Sequence, residues 1–140
     1  MVEGGSVSGV AAERDLIEAA WETAERAYAP YSKFRVGAVL ATPSGRIFTG
    51  CNVENASYGM SICAGRAAVC KAVSEGERDF EVLAICGPGG APPCGACRQV
   101  LHEFSPGLLI LIANEHKTLI AKHKLADLLP INFGPESLDI

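Results

Sequence analysis

Three of the six cysteines in this 140-residue chain are spaced for chemistry. Pro93-Cys94-Gly95-Ala96-Cys97 opens one run of helical spacing, and Cys63 opens another. Two thiols three residues apart at a helix start face the same way and can share one cation. Helix N-termini carry partial positive charge and favour thiolates, which serves a metal site and a thiol redox pair equally. Cys63 tips the balance. Three convergent thiolates leave one tetrahedral position of Zn2+ open to water, the pattern of a catalytic rather than a structural zinc. Zinc is therefore the first reading, with a redox pair and plain core cysteines as its alternatives.

Three thiolates also give the divalent ion a net negative charge, which blunts its power to acidify water. Arg66 and Arg98 each lie within a helical turn of a candidate ligand and are placed to draw charge back from sulfur. The plain alternative is a pair of solvated surface arginines. Cys70, on the face of Cys63 two helical turns on, is expected in the core. Cys51 and Cys86 close β-prone runs, have no partner at ligand spacing, and are expected to be core residues. His102 falls on a different helical face from Cys97, which makes it a poor fourth ligand. His116 and His123 sit among lysines and read as solvated.

These groups need elements to hold them. From about Ala11 to Tyr28, apolar residues such as Leu16, Ile17, Ala20 and Ala24 recur at helical spacing, and glutamates and arginines fill the other face. Ala29-Pro30 ends that helix. Phe34–Ala41 and Arg46–Cys51 flank the turn Thr42-Pro43-Ser44-Gly45 and predict a hairpin. Asn52–Ser61 reads as a polar loop, and Ile62–Ser74 as a helix. Phe80–Cys86 and Leu108–Ala113 are near-continuous apolar strands, the pattern of burial on both faces. Between them lie Gly87–Pro93, which suits neither helix nor strand, and a helix over Cys94–Phe104. Thr118–Ala121 reads as a short last strand, and Lys124–Leu129 as a terminal helix. Alternation of strands and helices implies an α/β fold with a mostly parallel sheet. Residues 1–9 are expected to form a flexible N-terminal segment, and 10–140 a single domain.

Composition narrows the field further. Hydrophobic residues make up 49% and charged residues 20%, as in an ordinary folded protein. Twelve Lys and Arg against 16 Asp and Glu give a net charge of -4, with no basic run. That excludes an electrostatic footprint for a long phosphate backbone, so a nucleic acid polymer is not the expected partner. No apolar run approaches ~18 residues, so no membrane span is expected. The N-terminus lacks the layout of a secretory signal, and six cysteines then point to a reducing, cytoplasmic setting.

The motifs together resemble one family, the small homotetrameric zinc-dependent cytidine deaminases. The resemblance rests on Cys63, on Cys94-x-x-Cys97-Arg98-Gln99-Val100 and on Tyr31-Ser32-Lys33-Phe34. It also rests on the loop Asn52-x-Glu54-Asn55-Ala56-Ser57-Tyr58, and on Leu129-Pro130 followed by Phe133. It implies a three-layer α/β/α fold around a mixed, mostly parallel five-stranded sheet with helices on both faces. It implies hydrolytic deamination of cytidine and 2'-deoxycytidine in pyrimidine salvage, with Cys63, Cys94 and Cys97 holding one Zn2+ per chain. Phe34 would stack on the base, Asn52 and Glu54 would bond the ribose hydroxyl, and the Ala64 backbone would hold the pyrimidine edge. Asn55, Ala56 and Ser57 belong to the same substrate loop. Tyr58 and Phe133 would reach a neighbouring subunit's pocket in a homotetramer.

One position breaks the pattern. Where the family has Cys-Ala-Glu-Arg, this chain reads Cys63-Ala64-Gly65-Arg66. The missing carboxylate is the group that moves protons between water, ring nitrogen and departing ammonia, and such assistance is worth roughly 10²–10⁴ in rate. Glycine cannot carry a proton. The expectation is therefore a catalytically impaired variant that still binds zinc and nucleoside. The alternatives are a deaminase of a nucleoside-like antibiotic such as blasticidin S, a non-catalytic zinc and nucleoside-binding relative, and a thiol redox protein.

Overall fold

The computed structural model describes residues 9–138; the expected flexible segment, apart from Gly9, lies outside the described residues. Helix α1 (Gly9–Ala24) buries Leu16, Ile17, Ala20 and Ala24. It stops four residues before the predicted end. Arg26 N and Ala27 N turn back to Thr23 O and Ala24 O, tightening the last turn. Tyr28 is then captured by the polar loop: its N–H donates to Asn52 O (3.0 Å), and its carbonyl accepts from Glu54 N (2.8 Å). Backbone pairing at a distance overrides helical periodicity here.

Strands β1 (Gly37–Ala41) and β2 (Ile47–Cys51) form the predicted hairpin, with Gly45 at φ 93° in its turn. Gly37 is dictated by packing, because a Cβ there would run into the backbone of Ala20 on α1. Helix α2 (Ala64–Ser74) leads to β3 (Val82–Cys86), and α3 (Gly95–Phe104) to β4 (Leu109–Ala113). Strand β5 (Leu119–Lys124) runs three residues beyond the predicted stretch and passes directly into the single turn α4 (Leu125–Leu128).

The five strands lie in the order β2-β1-β3-β4-β5. The sheet is mixed, but it is not mostly parallel: β3/β4 is the parallel pair, while β1/β2, β1/β3 and β4/β5 are antiparallel. The reason lies in the connections. A two-stranded hairpin and a short turn before β5 force antiparallel neighbours, and the crossover through α3 is the one that returns a strand beside its predecessor. Helix α1 packs Leu16, Ile17 and Ala20 against Val39, Ala84 and Leu111 on one face. Helices α2, α3 and α4 cover the other, where Ala68, Leu101 and Leu125 meet Leu40, Leu83 and Ile110. Three layers result, as expected.

Cys70 departs from expectation: it is exposed. It does share a face with Cys63, but α2 buries a different stripe, Ala64, Gly65, Ala68, Val69 and Ala72, and Cys63 itself stands at the rim of that stripe. Cys86 is fully buried and donates to Asn114 O (3.1 Å); burial pushes its thiol up to about 11, so it stays protonated and inert.

Candidate active site

Cys63 and Cys94 are the N-cap residues of α2 and α3, both in extended conformation. Cys97 sits in the first turn of α3, where its N–H donates to Cys94 Sγ (3.3 Å). Two helix starts therefore deliver three sulfurs to one point. Cys63 Sγ lies 3.3 Å from Cys97 Sγ and 3.8 Å from Cys94 Sγ, and all three fall within 4.8 Å of one another. Tetrahedral zinc with sulfur at ~2.3 Å requires sulfur–sulfur separations of about 3.8 Å. The donor set fits that ion. Among the described residues no histidine or carboxylate joins the cluster, so the protein supplies three ligands and leaves a fourth position open.

The sulfurs are not equivalent. The sulfur–sulfur hydrogen bond with Cys97 (3.3 Å) and a bond from the Arg66 guanidinium Nε (3.1 Å) together hold the Cys63 thiol down to about 4 despite burial. Cys97 is pushed upward by that same bond and by burial. A cation bound there would displace the thiol protons. Arg66 thus touches a candidate ligand directly. Arg98 does not: its Nε donates to Pro93 O (2.9 Å) and its Nη1 to Leu128 O (3.0 Å). Its guanidinium is taken up by these two backbone carbonyls and ties the start of α3 to the end of α4.

A cavity of about 290 Å³ opens over the sulfurs. Phe34, Asn52, Ala64 and Gly65 line it with the three cysteines, and Gly90, Ala91 and Pro92 form a further wall. That wall is the segment composition marked as neither helix nor strand. Gly89 and Gly90 take φ 71° and 86°, and Glu115 accepts from Gly89 N (2.6 Å), pinning the turn. Ala91, Pro92 and Glu115 were not singled out by spacing; the Gly-Pro punctuation was the available signal.

Not every candidate reaches this cavity. Glu54, Asn55 and Tyr58 line a neighbouring one with Tyr31, Ser32 and Ser61. Ala56 and Ser57 are exposed on the same loop and line neither of these cavities. Phe133 lies at the surface on the C-terminal tail, which Gln99 Nε2 anchors by donating to Phe133 O (2.8 Å). The two ribose candidates are partly committed within their own chain. Asn52 Oδ1 accepts from Val36 N (2.9 Å) and its Nδ2 donates to Phe34 O (2.8 Å). Glu54 accepts from Tyr31 N, Ser32 N and the Ser32 hydroxyl, and these bonds, the hydroxyl's first, lower its carboxyl below the ordinary value.

Gly65 is buried in the first turn of α2, and its backbone does not need positive φ. A Cβ built there would meet Cys97 Sγ, the movable end of a side chain. Among the described residues, neither an acidic residue nor a histidine lines the cavity. Its ionisable groups among the described residues are the three thiols, and Glu54 lines the neighbouring cavity.

Three comparisons bear on this arrangement. Residues 11–113 match the family model for the cytidine and deoxycytidylate deaminase zinc-binding region. The chain is 46% identical over 125 residues to a cytidine deaminase of Sporosarcina psychrophila, covering 88% of this chain and 92% of that protein. It is similar to the crystal structure of cytidine deaminase from Burkholderia pseudomallei, with a TM-score of 0.81 and 47% identity over 85% of this chain and 97% of the other. The cytidine deaminase of Mycobacterium tuberculosis superposes with a TM-score of 0.75 at 41% identity, over 86% and 95% of the two chains. A three-layer sheet with three thiols at two helix starts defines a zinc-dependent deaminase class, and this chain belongs to the cytidine deaminase family. The family's enzymes are hydrolases that act on pyrimidine nucleosides.

Proposed function

We propose that residues 10–140 form one domain that holds Zn2+ on Cys63, Cys94 and Cys97 and binds cytidine and 2'-deoxycytidine above it. Turnover to uridine or 2'-deoxyuridine and ammonia is severely reduced because residue 65 is glycine. The observation that carries this reading is the cavity wall, to which no carboxylate or imidazole among the described residues contributes. Zinc, when bound, supplies an acidified water and a Lewis acid beside the ring.

This chain's own residues do the rest. Arg66 draws negative charge from the Cys63 sulfur. Phe34 lines the cavity, where its ring can stack on a flat base. The Ala64 backbone lies at the cavity wall, where it can hold the pyrimidine edge. Asn52 keeps one amide hydrogen free after its bond to Phe34 O. A carboxylate accepts at about four lone-pair sites, and Glu54 has filled three, so one acceptor remains for a ribose hydroxyl. Asn55, Ala56 and Ser57 shape that loop, and Tyr58 and Phe133 stand exposed, ready to complete a neighbouring subunit's site in a homotetramer. A reducing cytoplasm would keep the three thiols available for metal.

The missing step is proton transfer. Hydrolysis takes a proton from water, places one on the ring, and delivers another to the departing ammonia. Gly65 can do none of these. Loss of cytidine absorbance, followed for this protein and its Gly65→Glu variant, tests the reading. The variant should turn over at least ~10³-fold faster, and comparable rates would overturn the role assigned to position 65. A panel of cytidine, 2'-deoxycytidine and a nucleoside-like antibiotic, run on the same variant, fixes the substrate.

A further inference from the structure

A chain of hydrogen bonds runs from Glu54 to the wall of the metal cavity. Glu54 Oε1 accepts from Tyr31 N (3.0 Å) and Ser32 N (3.1 Å), and its Oε2 accepts from the Ser32 hydroxyl. The oxygen of that hydroxyl accepts in turn from Phe34 N (3.0 Å). Lys33, between them, has φ 61°, a left-handed conformation that a side-chain-bearing residue keeps only where its surroundings impose it. On the far side, Asn52 Nδ2 takes up Phe34 O (2.8 Å).

Phe34 is therefore held at both its N–H and its carbonyl by side chains, and it lies outside β1. Phe34 lines the cavity yet is 43% exposed, so core packing does not fix it. The backbone anchors must. Of these, the Ser32 hydroxyl is the one that links the Glu54 cavity to the Phe34 cavity.

We propose that Ser32 is a positioning residue: its hydroxyl, oriented by Glu54, sets the Phe34 backbone and so the ring on which the base stacks. This deepens the proposed function and rests on its nucleoside reading. Ser32 itself need not touch the nucleoside.

The test is cytidine binding to the zinc-loaded protein by calorimetry. The variants are Ser32→Ala, Ser32→Thr, Phe34→Leu and the Ser32→Ala/Phe34→Leu double. Ser32→Ala should weaken binding about tenfold, the effect of losing a bond coupled to a charged group. Ser32→Thr, which keeps the hydroxyl, should restore it. In the Phe34→Leu background the Ser32→Ala change should cost less than about twofold, because the ring it positions is gone. A Ser32→Ala protein with lowered thermal midpoint but unchanged cytidine affinity would overturn the proposal. So would an equal loss in both backgrounds. If the parent chain binds no cytidine at all, the nucleoside reading fails, and amide exchange at Phe34 decides the Ser32 role separately. Protection lost in Ser32→Ala and kept in Ser32→Thr supports it; protection kept in Ser32→Ala contradicts it.

Discussion

Gly65 occupies a helical position without a backbone reason to be glycine, at a cost of up to about 1 kcal/mol relative to alanine. Its Cβ space is taken by Cys97 Sγ. Gly65→Ala restores the Cβ but no carboxylate, so it should leave cytidine turnover at the parent level while Gly65→Glu raises it. Equal gains from the two variants would show that packing, not proton transfer, was at fault. The two arginines separate just as cleanly. Arg66→Gln should weaken zinc about 10–100-fold in competition with a chromophoric chelator. Arg98→Gln should leave zinc affinity unchanged and lower the thermal midpoint, since its bonds run to Pro93 and Leu128 carbonyls. Spacing put both arginines near sulfur; it could not show which guanidinium would be taken up by backbone carbonyls. Glu54 carries the pH prediction. Its carboxyl is lowered from 4.5 by the Ser32 hydroxyl first, then by the Ser32 and Tyr31 amides. Its stabilisation is therefore complete above 4.5 and is lost as pH falls through the lower folded value. Urea midpoints followed into acid should converge for the parent and Glu54→Gln; a constant gap would contradict the assignment.

At the scale of elements, the metal site depends on two helix starts and on the Gly87–Pro93 turn. Gly90 combines φ 86° with close contact to Ile120, so Gly90→Ala should destabilise by more than about 1 kcal/mol in urea denaturation. Wild-type stability in that variant would remove the turn from the account. Residues 37–41, 47–51, 82–86 and 109–113 were legible as strands because apolar runs between turn residues have few other uses. Both helix starts were legible for the same reason the thiols were. Strand direction was not: a mostly parallel sheet follows from alternation alone, whereas the β1/β3 pairing brings antiparallel neighbours that no local pattern encodes. The end of α1 was missed likewise, through its pairing with residues 52–54. So were the commitments of Asn52 and Glu54 to their own chain, because side-chain to backbone clamps leave no periodic trace.

Across the whole molecule, several large apolar side chains stand exposed. Tyr58 is 77% and Met60 66% exposed on the loop before Cys63, and Phe133 is 59% exposed on the tail. Such surface is what a subunit interface would cover. Light scattering should give a mass of four chains, and Met60→Glu should reduce it; a monomeric parent would contradict the shared-site proposal. No helix among the described residues is long and apolar enough to cross a membrane. The proposed function turns on the thiol cluster. The decisive observation is anomalous scattering at the zinc edge from crystals of the intact protein. One peak per chain, equidistant from the Cys63, Cys94 and Cys97 sulfurs and with no fourth side chain bound, is the predicted result. A fourth protein ligand, or a Cys94–Cys97 disulfide in place of the peak, would contradict it.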